Sequence, residues 1–384
     1  MLKKLIILII FLMIISNFAF PSNAKFFKEN NIQLESRLHY GFLLSHHLEL
    51  DKFNSHFPAF EISIQKATYG NHRWEKKYDY PLIGVSFWTS NMGGFKEIGK
   101  AYALFPFINF PLFRNNESSF NFRIGLGVGY LGNKFDNKTN YKNFAIGSHV
   151  NIAANLLFEY RHKISKRFIF GSGIALTHFS NGSLKTPNYG LNIICANVSL
   201  TYFIHNPKKN GGRMLLPELF PFEFDGRKYL EVNMSFIISN KDMSQDLGQR
   251  FMVYAAFANI MKRVSYKSKF GIGIDITADQ SDKYTLEHDI EAIKSEETSY
   301  IKTGISAAYE LMISRASILF NLGMYVTGDE RKGGDTFQRL TFKYAFNRNI
   351  FANIVLTSNA GKADYIGIGL GYRLNFIYKR DNYN

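Results

Sequence analysis

Apolar and polar positions alternate with a period of two along most of this chain. From Leu230 to Ile238 the even positions are Leu, Val, Met, Phe and Ile, with Glu231, Asn233 and Ser235 between them. From Ile366 to Tyr378 the even positions are Ile, Ile, Leu, Tyr, Leu, Phe and Tyr, and the odd ones include Gly367, Gly369, Gly371, Arg373 and Asn375. A period of two puts the two sets on opposite faces of a β-strand. Bulky apolar residues on one face, with glycine and polar groups on the other, suit a strand that turns one side to lipid and the other to a lumen. Strands of a soluble sandwich alternate as well. The number of such segments and the aromatic content, 22 Tyr and 37 Phe, favour the barrel, whose interfacial girdles are aromatic.

About eight candidate strands precede residue 205, near 34–46, 59–68, 81–91, 97–111, 118–131, 146–161, 167–180 and 189–204. About eight follow residue 228, near 228–239, 249–264, 268–279, 299–313, 315–327, 335–347, 349–358 and 364–378. Residues 284–297 read as a polar loop with a short helix. Residues 206–227, rich in Pro, Gly and charge, form a linker that divides the chain evenly, with one half at 25–205 and the other at 228–384. The segment IALTHFS (174–180), followed by Asn-Gly, and IVLTS (354–358), followed by Asn-Ala-Gly, hint at duplication. The expected fold is all-β, an antiparallel transmembrane β-barrel of about 16 strands in two eight-strand halves. Two small barrels in tandem and one large barrel both fit that count. Periplasmic turns are normally short, so a long linker after an even strand favours two structural halves.

Composition narrows the setting. Lys3 and Lys4 precede an unbroken apolar run from Leu5 to Ile15, and Pro21–Ala24 supplies a helix breaker and small residues. The run is too short to cross a bilayer as a helix, so residues 1–24 read as a cleaved signal peptide. After it no stretch reaches the ~20 apolar residues of a transmembrane helix. One cysteine, Cys195, excludes an intramolecular disulfide, leaving backbone pairing and packing to stabilise an exported chain. The formal net charge of +15 would suit nucleic acid, but export argues against that partner. Anionic phosphates of lipopolysaccharide are one alternative counterpart, and plain solvated loops are the other.

The stretch that carries chemistry is LTHFSNGSLKTPNYGLN, Leu176–Asn192. His178 and Ser180 share a face with Phe168, Phe170, Ile174 and Leu176, and Asn192 shares one with Ile194, Ala196, Val198, Leu200 and Tyr202. All three therefore project from the bulky apolar side of two hairpin-connected strands. Desolvating polar groups on a lipid-facing wall is costly, a cost that falls near the rim and gives function a motive there. A serine hydroxyl needs a neighbouring imidazole to take its proton, and the imidazole needs a third group to fix its tautomer. Ser180, His178 and Asn192 have those chemistries, and the Asn181–Gly182 turn, with the Asn181 amide and nearby backbone N–H groups, is a candidate oxyanion site. On spacing alone, His-x-Ser equally describes an inactive hydrogen-bonded cluster at the rim.

Other residues point to less. His39, His46 and His47, at or near the end of the first strand, lack a spaced carboxylate or cysteine partner and read as rim histidines; no metal or other cofactor is expected. GLGVGY (125–130) and GIGLGY (367–372) imitate parts of a nucleotide loop, yet glycines alternating within a strand signal tight lumen packing or bending. Cys195 should point inward as an inert small residue. Trp74 and Trp88 read as girdle or packing residues.

The segment THFSNGSLKTPNYGLN resembles the active-site signature of the lipid A 3-O-deacylase family, also known as acyloxyacyl hydrolases. That signature is a His-x-Ser-Asn motif, a short loop, an Asn/Pro-Gly turn and then an acidic residue. The resemblance implies an outer-membrane β-barrel with lipid-facing catalytic residues: His178 as general base, Ser180 as nucleophile and Asn181 beside the oxyanion site. It also implies a serine esterase that hydrolyses the ester joining a hydroxyacyl chain to the 3-position of the lipid A glucosamine. Lipopolysaccharide and outer-membrane lipid would then be the partners, with self-association left open. The family's acidic residue falls on Asn192 here, which can orient a histidine but cannot offset its charge. The second half, with Leu356-Thr357-Ser358-Asn359, lacks a counterpart of His178 and reads as non-catalytic. The rival class is a barrel without catalysis, serving transport, scaffolding or lipid binding.

Overall fold

The computed structural model describes residues 32–204, 228–243, 249–288, 299–330, 334–360 and 362–378. The expected signal peptide (1–24) and linker (206–227) lie outside the described residues. Strands β1 (Ile32–Leu43), β2 (His56–Ala67), β3 (Leu82–Ser90), β4 (Ala101–Arg114), β5 (Ser118–Leu131), β6 (Val150–Lys163), β7 (Phe168–Ser180) and β8 (Leu191–Phe203) pair each with the next. They close into a barrel through β1 and β8, from Gln33 opposite Phe203 to Leu43 opposite Ile193. A second closed barrel contains β9 (Lys228–Asp242), β10 (Arg250–Arg263), β11 (Ser268–Asp279), β12 (Ile301–Ile313), β13 (Ala316–Thr327), β14 (Thr336–Ala345), β15 (Ile350–Asn359) and β16 (Lys362–Tyr378), joined by β16 against β9. The strand count thus resolves into two eight-strand barrels rather than one large one. Closure leaves neither barrel an open edge.

The turns are asymmetric. At one end of the first barrel the connections are long, at 44–55, 91–100, 132–149 and 181–190. At the other end they are tight, at 115–117 and 164–167, except for 68–81, which carries α1 (Arg73–Lys77). Long loops on one rim and short turns on the other are what a strand set crossing a bilayer shows.

Burial follows the sequence period. On β1, Leu34, Leu38 and Tyr40 are exposed outward, while Gln33, Glu35, Arg37 and His39 are buried in the lumen. The outer wall of the second barrel is likewise apolar, with Phe236, Ile272, Ile274, Leu322, Ile368 and Leu370 exposed. A water-soluble barrel would put these faces the other way round; a bilayer calls for this one.

Among the described residues, side chains cross both lumens. In the first barrel the short-turn half is crossed by a balanced ion network. Arg37 bonds Glu35 at 2.8 Å and also Glu159, Arg161 bonds Glu35 at 2.7 Å, and Arg123 bonds Glu61 at 2.6 Å. The half beneath the long loops is filled by Leu43, Phe57, Trp88, Phe105, Phe179, Ile193 and Cys195. Cys195 points inward as expected, and Trp88 is fully buried against Phe179. The alternating glycines serve this packing: a Cβ at Gly129 would collide with the Phe179 ring. In the second barrel Lys269 lies between Glu231 and Glu310, Lys343 also reaches Glu310, and Arg339 pairs with Asp275. Planar-bilayer recording of the reconstituted protein should accordingly show no single-channel steps; regular openings would favour the transport reading.

Three local expectations change. The helix expected within 284–297 is α2 (Gln280–His288), which starts earlier because the Asp279 carboxylate accepts the Ser281 N–H at 2.8 Å; residues 289–298 lie outside the described residues. His46 and His47 follow β1 rather than end it: the Leu44 N–H makes a final bond to the Asn192 carbonyl, and Ser45 then turns the chain by bonding the His47 carbonyl and Asp51. His39 sits in the lumen, 3.2 Å from Glu61, so the three histidines do not converge.

Candidate active site

The site forms where β7 and β8 leave the wall at the long-loop rim. His178 and Asn192 are directly opposed across the strand pair. Thr177 and Phe179 point into the lumen, so His178 and Ser180 point out. The three polar groups predicted to share the outer face do share it, half-buried among Leu176, Ile194 and the loop above.

The hydrogen bonds around His46 favour one protonation pattern for the cluster. Two carbonyl oxygens face the His46 ring, that of Tyr189 at 2.8 Å from Nε2 and that of Leu44 at 3.5 Å from Nδ1, and the shorter contact puts the His46 proton on Nε2. His46 Nδ1 is then an acceptor and takes a hydrogen bond from the Asn192 amide nitrogen at 3.2 Å. That choice turns the Asn192 Oδ1 toward His178, where it accepts the Nδ1–H at 2.6 Å. The lone pair of His178 is consequently on Nε2, the tautomer that a general base requires. This Asn192 amide orientation and these two histidine tautomers are the set that agrees with the shorter of the two carbonyl contacts at His46.

The Ser180 hydroxyl is arranged in a complementary way. Its oxygen accepts the Gly182 N–H at 3.2 Å and an Asn188 side-chain N–H at 2.9 Å. With both lone pairs engaged, the hydroxyl proton is what remains to be donated. Among the described residues no hydrogen bond joins Ser180 to His178. Such contacts are often long before substrate binds and tighten in the complex. Gly190 makes room for the imidazole: its φ is 78°, and a Cβ there would stand 2.9 Å from His178 Cε1.

The expected oxyanion role of the Asn181 amide is corrected. Its nitrogen donates to Ser148 Oγ at 2.9 Å and to the Lys185 carbonyl at 2.8 Å, so it braces the loop and has no donor to spare. The Asn181 backbone N–H is taken by Asn188 Oδ1 at 3.0 Å. The donors that meet at Ser180 are the Gly182 N–H, which was expected, and the Asn188 amide, which was not. His46 also joins the site from a distant loop. The His47 ring beside it stacks on Tyr189 at 4.1 Å and flanks the carbonyl that anchors the chain of bonds. Burial, followed by the neighbouring His46, holds the His47 imidazole below its ordinary pKa.

Of the remaining candidates, Trp74 packs with Tyr78 and Phe110 against Ile313 of the second barrel, a packing role. The loop after Ser180 also meets that barrel. Ser183 has φ 64°, a conformation that costs a non-glycine residue on the order of 1–3 kcal/mol and persists only where its surroundings hold it.

Residues 59–201 match the family model described as lipid A 3-O-deacylase (PagL), and residues 230–376 match that described as acyloxyacyl hydrolase, C-terminal domain. No curated protein matches the chain in sequence. Among solved structures, Neisserial surface protein A is 8% identical, with 45% of this chain and 97% of that one covered and a TM-score of 0.31. A double mutant of the Rh. blastica porin is 9% identical over 90% of this chain and 99% of that one, with a TM-score of 0.17. The outer membrane protein opdK from Pseudomonas aeruginosa is 6% identical over 90% and 99%, with a TM-score of 0.24. Likenesses this distant carry no argument about the site.

Proposed function

We propose that this chain is a serine esterase of the outer membrane that removes the 3-O-linked acyl chain of lipid A, because residues 59–201 match the lipid A 3-O-deacylase model and residues 230–376 the acyloxyacyl hydrolase C-terminal domain model. The observation that carries this reading is the 2.6 Å bond from His178 Nδ1–H to Asn192 on the outward, apolar wall that also bears Ser180. A base, a nucleophile and an orienting group at that wall meet a substrate that arrives by lateral diffusion in the leaflet.

In this mechanism Ser180 Oγ attacks the ester carbonyl while His178 Nε2 takes the hydroxyl proton. The carbonyl oxygen gathers negative charge, and the Gly182 N–H and the Asn188 amide, freed from Ser180 Oγ as it bonds to carbon, are its nearest donors; each such donor is worth about 3–4 kcal/mol. The tetrahedral intermediate collapses with loss of the sugar 3-oxygen, which receives the proton from His178. Water, deprotonated by the same imidazole, then cleaves the acyl-serine ester, releasing a fatty acid and restoring Ser180. Asn192 keeps the ring aligned throughout but offsets none of the imidazolium charge, which predicts a slower enzyme than its acidic relatives.

Mass spectrometry of lipid A before and after incubation with the purified protein tests the proposal. Loss of one hydroxyacyl unit with appearance of the free acid is expected. Unchanged lipid A, or loss from another position, would refute the reaction or its regiochemistry respectively.

The bonds of His46 predict a coupling. His46→Ala frees the Asn192 amide to rotate and should lower kcat about tenfold, since a lost hydrogen bond is worth about 1 kcal/mol and misorientation adds to it. In an Asn192→Asp background there is no amide to orient, so His46→Ala should cost much less. A double-mutant cycle measures the difference. Additive effects would remove His46 from the chain of bonds.

A further inference from the structure

The C-terminal barrel lacks a histidine equivalent to His178, yet its long-loop rim is joined to the loop that follows Ser180. Among the described residues, the seam includes four contacts. The Ser183 hydroxyl donates to the Ala363 carbonyl at 2.8 Å, and the Asp242 N–H donates to the Ser183 carbonyl at 3.0 Å. The Thr186 N–H reaches the Asp242 carboxylate at 3.3 Å. Ile366, outward-facing on β16, lies so close to Gly182 that a Cβ at that glycine would be 2.7 Å from Ile366 Cβ.

We propose that the C-terminal barrel is a positioning wall for catalysis, holding the 181–188 loop so that Gly182 and Asn188 keep their donors on the reacting centre. Ser183 holds its left-handed conformation with its hydroxyl and carbonyl both bonded to the second barrel, and it directly follows Gly182, whose N–H points at Ser180. Thr186, two residues before Asn188, is tied to the same barrel through Asp242. Remove those ties and a strained turn has no reason to keep its shape. Gly182 is also the residue whose lack of a side chain admits Ile366, so the first barrel's oxyanion turn and the second barrel's wall fit only together. Contacts at the opposite rim keep the two barrels side by side: the Tyr78 hydroxyl donates to the Met312 carbonyl at 2.9 Å, next to the Tyr78, Phe110 and Ile313 cluster.

The inference rests on the esterase reading of Ser180, and its test separates the two. Asp242→Ala combined with Ser183→Ala removes both side-chain ties while leaving every group that touches substrate in place. Two rates are measured per folded molecule, the folded fraction being read from the mobility of unheated protein in gels. One is acyl release from lipid A; the other is covalent labelling of Ser180 by a fluorophosphonate, in which Ser180 Oγ displaces fluoride from phosphorus. The expected result is a fall of roughly 10- to 100-fold in kcat, the scale of a slight misplacement of reacting groups, with KM unchanged and labelling slowed in parallel. Asp242→Asn, which keeps an oxygen for the Thr186 N–H, should retain most of both rates. Wild-type kcat and labelling in the double variant would overturn the proposal, as would an equal loss in Asp242→Asn. If the wild-type chain labels at Ser180 but leaves lipid A intact, the substrate reading fails, and the labelling rates still decide the role of the wall.

Discussion

Ser180→Ala is expected to stop acyl release, lowering kcat by roughly 10⁴- to 10⁶-fold, with His178→Ala close behind and the double variant no worse than Ser180→Ala. The lack of additivity follows from chemistry in which the two groups act as one unit: without the hydroxyl there is nothing for the imidazole to deprotonate. Both side chains sit on the outer wall near the rim, so neither change opens a cavity in the lumen, and the lost hydrogen bonds should cost folding only about 1–2 kcal/mol. Initial rates of fatty acid release in mixed micelles measure the effect. A Ser180→Ala protein that kept more than about a tenth of wild-type activity would end the nucleophile assignment. Asn192→Ala should give an intermediate loss, because the ring survives but its orientation is no longer fixed.

The largest expected effect on stability lies inside the first barrel. Arg37 is fully buried and bonds Glu35, Glu159 and Asn197. Arg37→Met leaves two carboxylates sharing Arg161 and Arg123, so the lumen gains uncompensated negative charge. Breaking a buried ion pair by deleting one partner costs about 3–5 kcal/mol, a large share of the 5–15 kcal/mol that is typical of a folded domain. The next residue gives the control. Leu38 faces outward and is 60% exposed, and Leu38→Ala should cost about 1 kcal/mol or less. Urea unfolding in detergent compares the two, and equal costs would contradict the division of β1 into lumen and lipid faces.

What could be read from the sequence was what a short period encodes. β5 and β11 occur at the residues expected, because their alternation starts and stops sharply at Ser118, Leu131, Ser268 and Asp279. β4 runs past the expected end at 111 to Arg114, since its register shifts between Pro111 and Phe113 and the alternation breaks there. The decision between one barrel and two lies in the pairings of β1 with β8 and of β9 with β16. Those partners are far apart in sequence and no local pattern reports them. The same distinction divides the site. The outward projection of His178, Ser180 and Asn192 was legible because parity is a strand property. His46 and Asn188 lie in loops, where parity has no meaning, and only the fold brings them to the cluster. The Asn181 amide differs from expectation for a related reason: composition supplies a donor beside Ser180, but not the Ser148 and Lys185 oxygens that occupy it.

Under the proposed mechanism, the placement of Ser180 and His178 on the outer wall changes which concentration governs the rate. A substrate that never leaves the leaflet is encountered in two dimensions, so velocity should track its mole fraction among neighbouring amphiphiles rather than its amount per volume of buffer. Diluting the membrane with inert lipid should slow turnover even when bulk substrate is constant, whereas diluting the whole suspension should leave the turnover number untouched.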